Sequence, residues 1–243
     1  MRTAPTILRI LLLVLALAGA SAVLMHIFIQ PVSFAPRREY DLELRFALTP
    51  LRRESAPSAE RSSSIHAAIP ERFRALIVKK SKKYQLSPEL VAGIIARESG
   101  FDPLCTAPDG GKGLMQLMPS VCREYRCTDP FDPESNIETG CAHLARLRDQ
   151  FPELPGGERI KFALAAYNGG LGHVIDARQL ARKLKLDPDK WQGNVEESIQ
   201  FLKFKSFWKS ARYGYCNADI VVNYVNSVLA LAERYRNEPQ KEE

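Results

Sequence analysis

The chain has 243 residues, 45% hydrophobic and 26% charged, which is enough apolar content for one ordinary domain and an appendage. Its 34 basic and 28 acidic residues give a net charge of +6, and Arg2 and Arg9 are the only charged side chains before residue 31, leaving +4 for the remainder. That excess suits an anionic envelope polymer or lipid surface. It is too small to argue for nucleic acid, and no DNA- or RNA-reading motif accompanies it.

In chain order, the first predicted element is an apolar segment. Ile10 to Ile29 contains no aspartate, glutamate, lysine or arginine and follows the basic pair Arg2 and Arg9. It is long enough to cross a bilayer as a helix. Ala18-Gly19-Ala20 and Ala20-Ser21-Ala22 resemble signal-peptidase sites, so a cleaved signal competes with an anchor. The anchor is the stronger reading, because the apolar run continues through Val23, Leu24, Ile27, Phe28 and Ile29. Its basic start places the N-terminus inside. Residues 1–30 are therefore read as a signal anchor or signal peptide.

Residues 31–65 are rich in proline, arginine and serine and read as a linker. Tyr40, Leu42, Leu44 and Phe46 alternate within it, as in a lone strand. From residue 66 to 238 the pattern is helical. Phe73, Leu76 and Ile77 open one amphipathic helix. Ser87-Pro88-Glu89 is a strong start signal for the next: an N-cap serine, a proline at the first helical position and an acid at the positive dipole end. Gly100 is its expected C-cap, and Pro103 prevents continuation. Further helices are expected over 135–150, 159–168, 174–184, 195–210 and 218–234, with no strand pairing after 65. The domain should be mainly α.

Five cysteines follow the linker: Cys105, Cys122, Cys127, Cys141 and Cys216. An exported chain favours disulfides over metal or thiol chemistry. Cys122 and Cys127 are close enough in sequence to close a short loop, and Cys105 with Cys141 is a second candidate pair; plain burial as small residues is the competing reading. No Cys-x-x-Cys occurs, and His66, His143 and His173 are far apart, so neither a metal nor another cofactor is expected.

Glu98 falls four residues after Ile94 and seven after Val91, on the apolar face of its helix. Taken alone, a structural ion pair or a helix-end residue reaching back to water outweighs catalysis. Partial burial would nevertheless raise the carboxyl pKa, as a general acid near neutral pH requires.

Motifs around it change the weighting. Glu98-Ser99-Gly100-Phe101 precedes the loop Pro108-Asp109-Gly110-Gly111-Lys112-Gly113 and then Leu114-Met115-Gln116-Leu117-Met118-Pro119; about fifty residues later comes Ala165-Ala166-Tyr167-Asn168-Gly169-Gly170. Each motif is weak by itself, but three in this order and spacing are specific. The set resembles the lytic transglycosylases of the goose-lysozyme-like superfamily. With Glu158-Arg159-Ile160, Asp176-Ala177-Arg178, Arg212-Tyr213-Gly214-Tyr215 and Asn223-Tyr224-Val225, the resemblance is strongest to the catalytic domain of the membrane-bound lytic murein transglycosylase F family and covers about residues 70 to 235. The chain departs from that family in carrying the apolar segment and linker where a solute-binding-like domain is usual. The cysteines are also foreign to the pattern.

The resemblance implies a lysozyme-like helical domain acting on peptidoglycan glycan strands. Glu98 would protonate the glycosidic oxygen between N-acetylmuramic acid and N-acetylglucosamine, then accept the proton of the muramoyl C6 hydroxyl as it closes a 1,6-anhydro ring. An internal nucleophile removes the need for the second carboxylate that most glycosidases carry. Asp102, Asp109 and Glu124 read as loop or surface charges. Ser99 would orient the carboxylate or bind substrate, and Gly113 would let backbone approach the sugar. Met115 and Gln116 would line subsites, while Leu117 and Met118 read as core. Tyr167 and Asn168 would face Glu98, and Tyr224 is a lesser candidate, since its spacing also suits burial. Trp191, Phe207, Trp208 and His173 read as structural. The alternatives are a hydrolytic lysozyme of the same fold and a non-catalytic peptidoglycan-binding envelope protein. The implied location is the cell envelope, with the domain periplasmic and held at the inner membrane, or secreted if the segment is cleaved.

Overall fold

The computed structural model describes residues 68–237. The apolar segment, the linker, the alternation at 40–46 and residue 238 lie outside the described residues. Within them the protein is helical: α1 (Glu71–Lys83), α2 (Pro88–Ser99), α3 (Pro119–Tyr125), α4 (Pro133–Arg148), α5 (Gly156–Gly169), α6 (Leu171–Lys183), α7 (Glu196–Phe201), α8 (Lys205–Trp208) and α9 (Ala218–Asn237). A wide π-type turn, Trp191–Val195, leads into α7. Strand pairing among the described residues is limited to isolated bridges, Thr106 with Lys112 and Lys112 with Leu117. No helix among them is long and apolar enough to cross a membrane.

Helix α2 is the axis of the domain, and local chemistry sets both its ends. Ser87 Oγ accepts the Leu90 N–H at 3.1 Å, Pro88 occupies the first turn, and Gly100 closes the helix in the left-handed region at φ 61°. Every residue from Leu90 to Ala96 is buried, so α2 is enclosed on all sides rather than along one stripe. Fully burying side chains such as Val91, Ile94 and Ile95 contributes about 1.5–3 kcal/mol each. Helix α9 packs closely along α2 because Gly93 permits it: a Cβ there would stand 2.9 Å from the Val228 carbonyl oxygen and 3.1 Å from the Ala232 nitrogen. Helix α5 packs against both α9 and α4, and α6 against α5 and α7, which completes the core around α2.

Boundaries differ from the sequence expectation where caps outrank periodicity. Asp132 accepts the Ser135 N–H at 2.8 Å ahead of Pro133, so α4 begins at 133 rather than 135. The single helix expected over 195–210 is two. Leu202 and Phe204 tighten into i→i+3 bonds to Ile199 and Phe201, and the Leu202 carbonyl is taken by the Cys216 N–H at 3.2 Å. Helix α3, started by Pro119, was not expected from the apolar pattern; it buries none of its residues fully and so leaves no stripe to detect.

Candidate active site

The last turn of α2 is where the buried helix opens. Arg97 is exposed and Glu98 keeps partial solvent contact, one turn beyond the enclosed Ile94. Protein still surrounds most of the carboxyl, and this loss of water raises its pKa from 4.5 to about 7. The Tyr224 hydroxyl and Arg97 pull the other way, and Asp109 reinforces the rise. Tyr224 lies on α9 with its ring 2% exposed. Its hydroxyl faces the Glu98 carboxyl without meeting the geometry of a full hydrogen bond, and it has no other partner. Tyr167, on α5, is near enough for the Glu98 charge to act on it, and burial holds both phenols well above their usual range. Both tyrosines are therefore neutral near a carboxyl that ionises near neutrality, and Tyr224 is the one whose hydroxyl acts on it as a donor.

The remaining motif residues converge on the backbone of one segment. Residues 112–117 form a tight turn, in which Lys112 N–H donates to Leu117 at 3.2 Å and Leu117 N–H returns to Lys112 at 2.9 Å. Ser99 Oγ donates to the Leu114 carbonyl at 2.8 Å and so ties the end of α2 to the turn. Tyr167 donates its hydroxyl to the Met115 carbonyl at 2.8 Å. Gln116, itself in the left-handed region at φ 49°, donates Nε2 to the carbonyls of Gly113 at 2.8 Å and Cys105 at 3.1 Å. Gly113, at φ 72°, sits where a Cβ would collide with the Pro130 carbonyl and Asn136 Nδ2. Its freedom serves approach to protein backbone and to Asn136.

Several expected roles thus look different in three dimensions. The Ser99 hydroxyl holds the segment beside Glu98 and makes no hydrogen bond to the carboxyl. Both amide hydrogens of Gln116 are committed to the loop, leaving a buried, unpartnered Oε1. The Met115 side chain is fully buried on α4 at Gly140, so what it offers the site is its backbone. Met118, expected in the core, is 39% exposed, because it precedes the exposed start of α3. Leu117, Trp191 and Phe207 are core, while Trp208 and His173 are half-buried. Asn168 is exposed at the end of α5. Asp102 and Asp109 cap turns at Leu104 and Gly111, and Glu124 pairs with Arg146.

Two residues central to this construction were not singled out from sequence. Asn136 is wholly buried on α4; its Oδ1 accepts the Met115 N–H at 2.8 Å, and its Nδ2 donates to Pro130 at 2.6 Å and Lys112 at 3.0 Å. An asparagine directly before Ile137 and one turn before Gly140 and Cys141 was the available signal, because a polar residue on an inward face must find partners. His143 packs at a tilt against Tyr167 at 5.5 Å, and burial, with Arg146 nearby, lowers its pKa. Asp176, fully within α6, accepts the backbone N–H groups of Arg212 and Tyr213 at 3.2 and 2.7 Å, which joins two of the distant sequence motifs. Among the described residues no group of three or more His, Cys, Asp and Glu converges as a metal site would.

Residues 75–189 match the Transglycosylase SLT domain. The chain is 39% identical over 166 residues to the membrane-bound lytic murein transglycosylase F of Desulfosudis oleivorans, covering 68% of this chain and 36% of that protein. It is 38% identical over 140 residues to the protein of the same name from Vibrio vulnificus, covering 57% and 26% respectively. The match therefore spans only about a third of the length of these relatives. Among solved structures, an inactive Glu-to-Gln mutant of the lytic transglycosylase Slt from Pseudomonas aeruginosa aligns with a TM-score of 0.50 and 28% identity, over 71% of this chain and 25% of that one. Residues 75–189 of the helical domain, Glu98 among them, thus match the transglycosylase SLT family.

Proposed function

We propose that the chain is a lytic transglycosylase that cuts peptidoglycan glycan strands between N-acetylmuramic acid and N-acetylglucosamine, leaving 1,6-anhydro ends. Glu98 is the acid and then the base. The observation that carries this reading is one partly accessible carboxyl at the open end of a buried helix, ionising at about 7 and near two neutral phenols. Near neutral pH such a group is populated in both forms, so it can give a proton to the leaving oxygen and take one back from the C6 hydroxyl. Asp109 is the other carboxylate bearing on it, and that side chain is exposed and engaged with the Gly111 N–H. A mechanism with an internal nucleophile needs no second carboxylate. The relatives' names and the loss of activity in a Glu-to-Gln mutant of the Pseudomonas enzyme agree with the assignment.

In this reading residues 1–30 are the anchor or signal, 31–65 the tether and 66–238 the catalytic domain at the envelope. Ser99, Gly113, Met115, Gln116 and Tyr167 build the wall beside Glu98, with Asn168 and Tyr224 completing the glycan site. The test is digestion of purified peptidoglycan followed by mass spectrometry of the fragments. Anhydro-muropeptides from the wild type and none from Glu98→Gln are expected. Hydrated reducing ends would identify a lysozyme instead, no release at all would identify a binding protein, and anhydro products from Glu98→Gln would remove Glu98 from the reaction.

A further inference from the structure

The five cysteines take no part in the chemistry of Glu98, and all five are thiols in the structure. Two of them meet at one helix end. Helix α3 stops at Arg126, which lies in the left-handed region at φ 57° and ψ 35°, and the Cys127 N–H donates to the Cys122 carbonyl at 2.9 Å. A left-handed residue followed by an amide that reaches back five positions is a Schellman motif, whose hallmark is contact between the two side chains flanking the closure. Here those side chains are Cys122 and Cys127. Both are half-buried against the core, and the Cys127 thiol is close enough to Cys122 to act on its ionisation. The position between them normally favours glycine, yet Arg126 occupies it, so the turn carries a conformational cost that some other interaction must offset.

We propose that Cys122 and Cys127 form a disulfide that locks the C-terminal turn of α3. The bond arises by exchange with an external disulfide, either a small-molecule disulfide or the oxidised, disulfide form of a redox protein. One cysteine thiolate attacks that disulfide and expels a thiolate; the second cysteine then attacks the mixed disulfide and expels the other. The two cysteine thiols are oxidised to one cystine, the external disulfide is reduced to two thiols, and the cysteine protons pass to the departing thiolates. Cys141 and Cys216 are placed less favourably, both being buried. Cys141 is enclosed within α4, and burial pushes its thiol up to about 12; the Cys216 thiol is pushed up to about 11.

The bridge sits at the outer end of a line of contacts that leads to the site. The locked turn carries Glu124 and Tyr125, and Arg146 donates to both, at 3.4 Å and 2.9 Å. Tyr125 packs edge-on to His143 at 5.9 Å, His143 packs on Tyr167 at 5.5 Å, and Tyr167 holds the Met115 carbonyl. The cystine is a positioning element for this wall and does not depend on the role given to Glu98.

The test uses the full chain, purified without reductant and equilibrated with oxidised and reduced glutathione. Thiols are alkylated with one reagent before reduction and another after, and the protein is digested with trypsin. Cleavage after Lys112, Arg123, Arg126 and Arg146 separates the two cysteines onto peptides 113–123 and 127–146. These peptides are expected to be joined, with fragmentation placing the link at Cys127 rather than Cys141, and three of the five cysteines should react before reduction. Five reactive thiols, or a link from Cys122 to Cys105 or Cys141, would overturn the proposal. As a second measurement, reduction should lower the Tm of the wild type by about 5 °C, the scale for a six-residue loop in a domain of this size, and leave Cys122→Ala/Cys127→Ala unmoved. An equal response in both proteins would also count against the bond.

Discussion

Glu98 and Glu138 are both partly enclosed glutamates on long helices, but their surroundings drive them in opposite directions. Glu98 ends α2 beside two neutral tyrosines, with Arg97 turned to solvent, and its pKa rises to about 7. Glu138 lies where α4 meets α1. Burial would raise its pKa too, but Lys80 at 2.6 Å, Lys83 and the Tyr84 hydroxyl bind its carboxylate and bring it down to about 2. Lys80, whose side chain is 10% exposed, also pairs with Glu134 at 2.8 Å. Enclosure alone does not select a catalytic carboxyl. The difference is that lysines pair directly with the Glu138 carboxylate, whereas Arg97 acts on Glu98 without forming an ion pair, so burial dominates there and keeps the proton available near pH 7.

The largest expected effect comes from removing the available proton. Glu98→Gln should lower glycan cleavage by about 10³-fold, within the range for loss of a general acid. Wild-type activity should fall as pH rises through about 7, measured as muropeptide release across a pH series. Retained activity would mean that Glu98 and Glu138 do not differ in the way described.

Removing the cation should break the other half of the comparison. Lys80→Met leaves Glu138 with Lys83 and Tyr84, and the ammonium lies at the edge of the helix interface, so the loss should be about 2 kcal/mol by denaturant unfolding at pH 7. The folded pKa of Glu138 is depressed, so its contribution is present above about pH 4.5 and fades as pH falls toward 2. The gap between wild type and variant should narrow over that window. A gap that stays constant would show that the pairing is not what Lys80 contributes.

A smaller effect, of opposite sign, is expected for stability at Glu98. Below pH 4.5 the carboxyl is protonated in both folded and unfolded chains and makes no difference. Between 4.5 and about 7 the unfolded state ionises first and stability is lost, and above that the cost is constant. Glu98→Gln should therefore match the wild type at pH 4 and exceed it at pH 8 by about 1–2 kcal/mol, a value reduced from the full shift because the carboxyl retains solvent contact. Equal stability at both pH values would remove desolvation as the cause. The smallest effect is that of Tyr224→Phe. Losing a hydroxyl that favours the ionised carboxyl should move the basic limb of the pH–activity profile upward by a fraction of a unit. A downward shift would contradict the placement of that hydroxyl.

The helices were largely legible before the fold was known, and for a local reason. Ser87, Pro88 and Gly100 act within a few residues of themselves, so the ends of α2 follow from the chain alone. Where an end depends on a distant group the expectation failed: the break after Phe201 needs the Cys216 N–H, which sequence periodicity cannot supply. At the site, the motifs located Glu98, Ser99, Gln116 and Tyr167 but not what those side chains touch. Their partners are mostly backbone carbonyls, which carry no sequence signature, and Asn136, which supports the same segment, belonged to none of the motifs quoted.

Sequence by itself determined a mainly α domain, its principal helices and the family that residues 75–189 match, because capping, periodicity and motif order are local or linear properties. Only the tertiary structure decided that Glu98 emerges from an enclosed helix into a partly wet setting where no cation pairs with it. It also decided that Ser99, Gln116, Asn136 and Tyr167 hold one turn beside it, and that Cys122 and Cys127 meet across a helix end. Those properties depend on which side chains from distant segments displace water or charge around a given atom, and that is settled only when the helices pack.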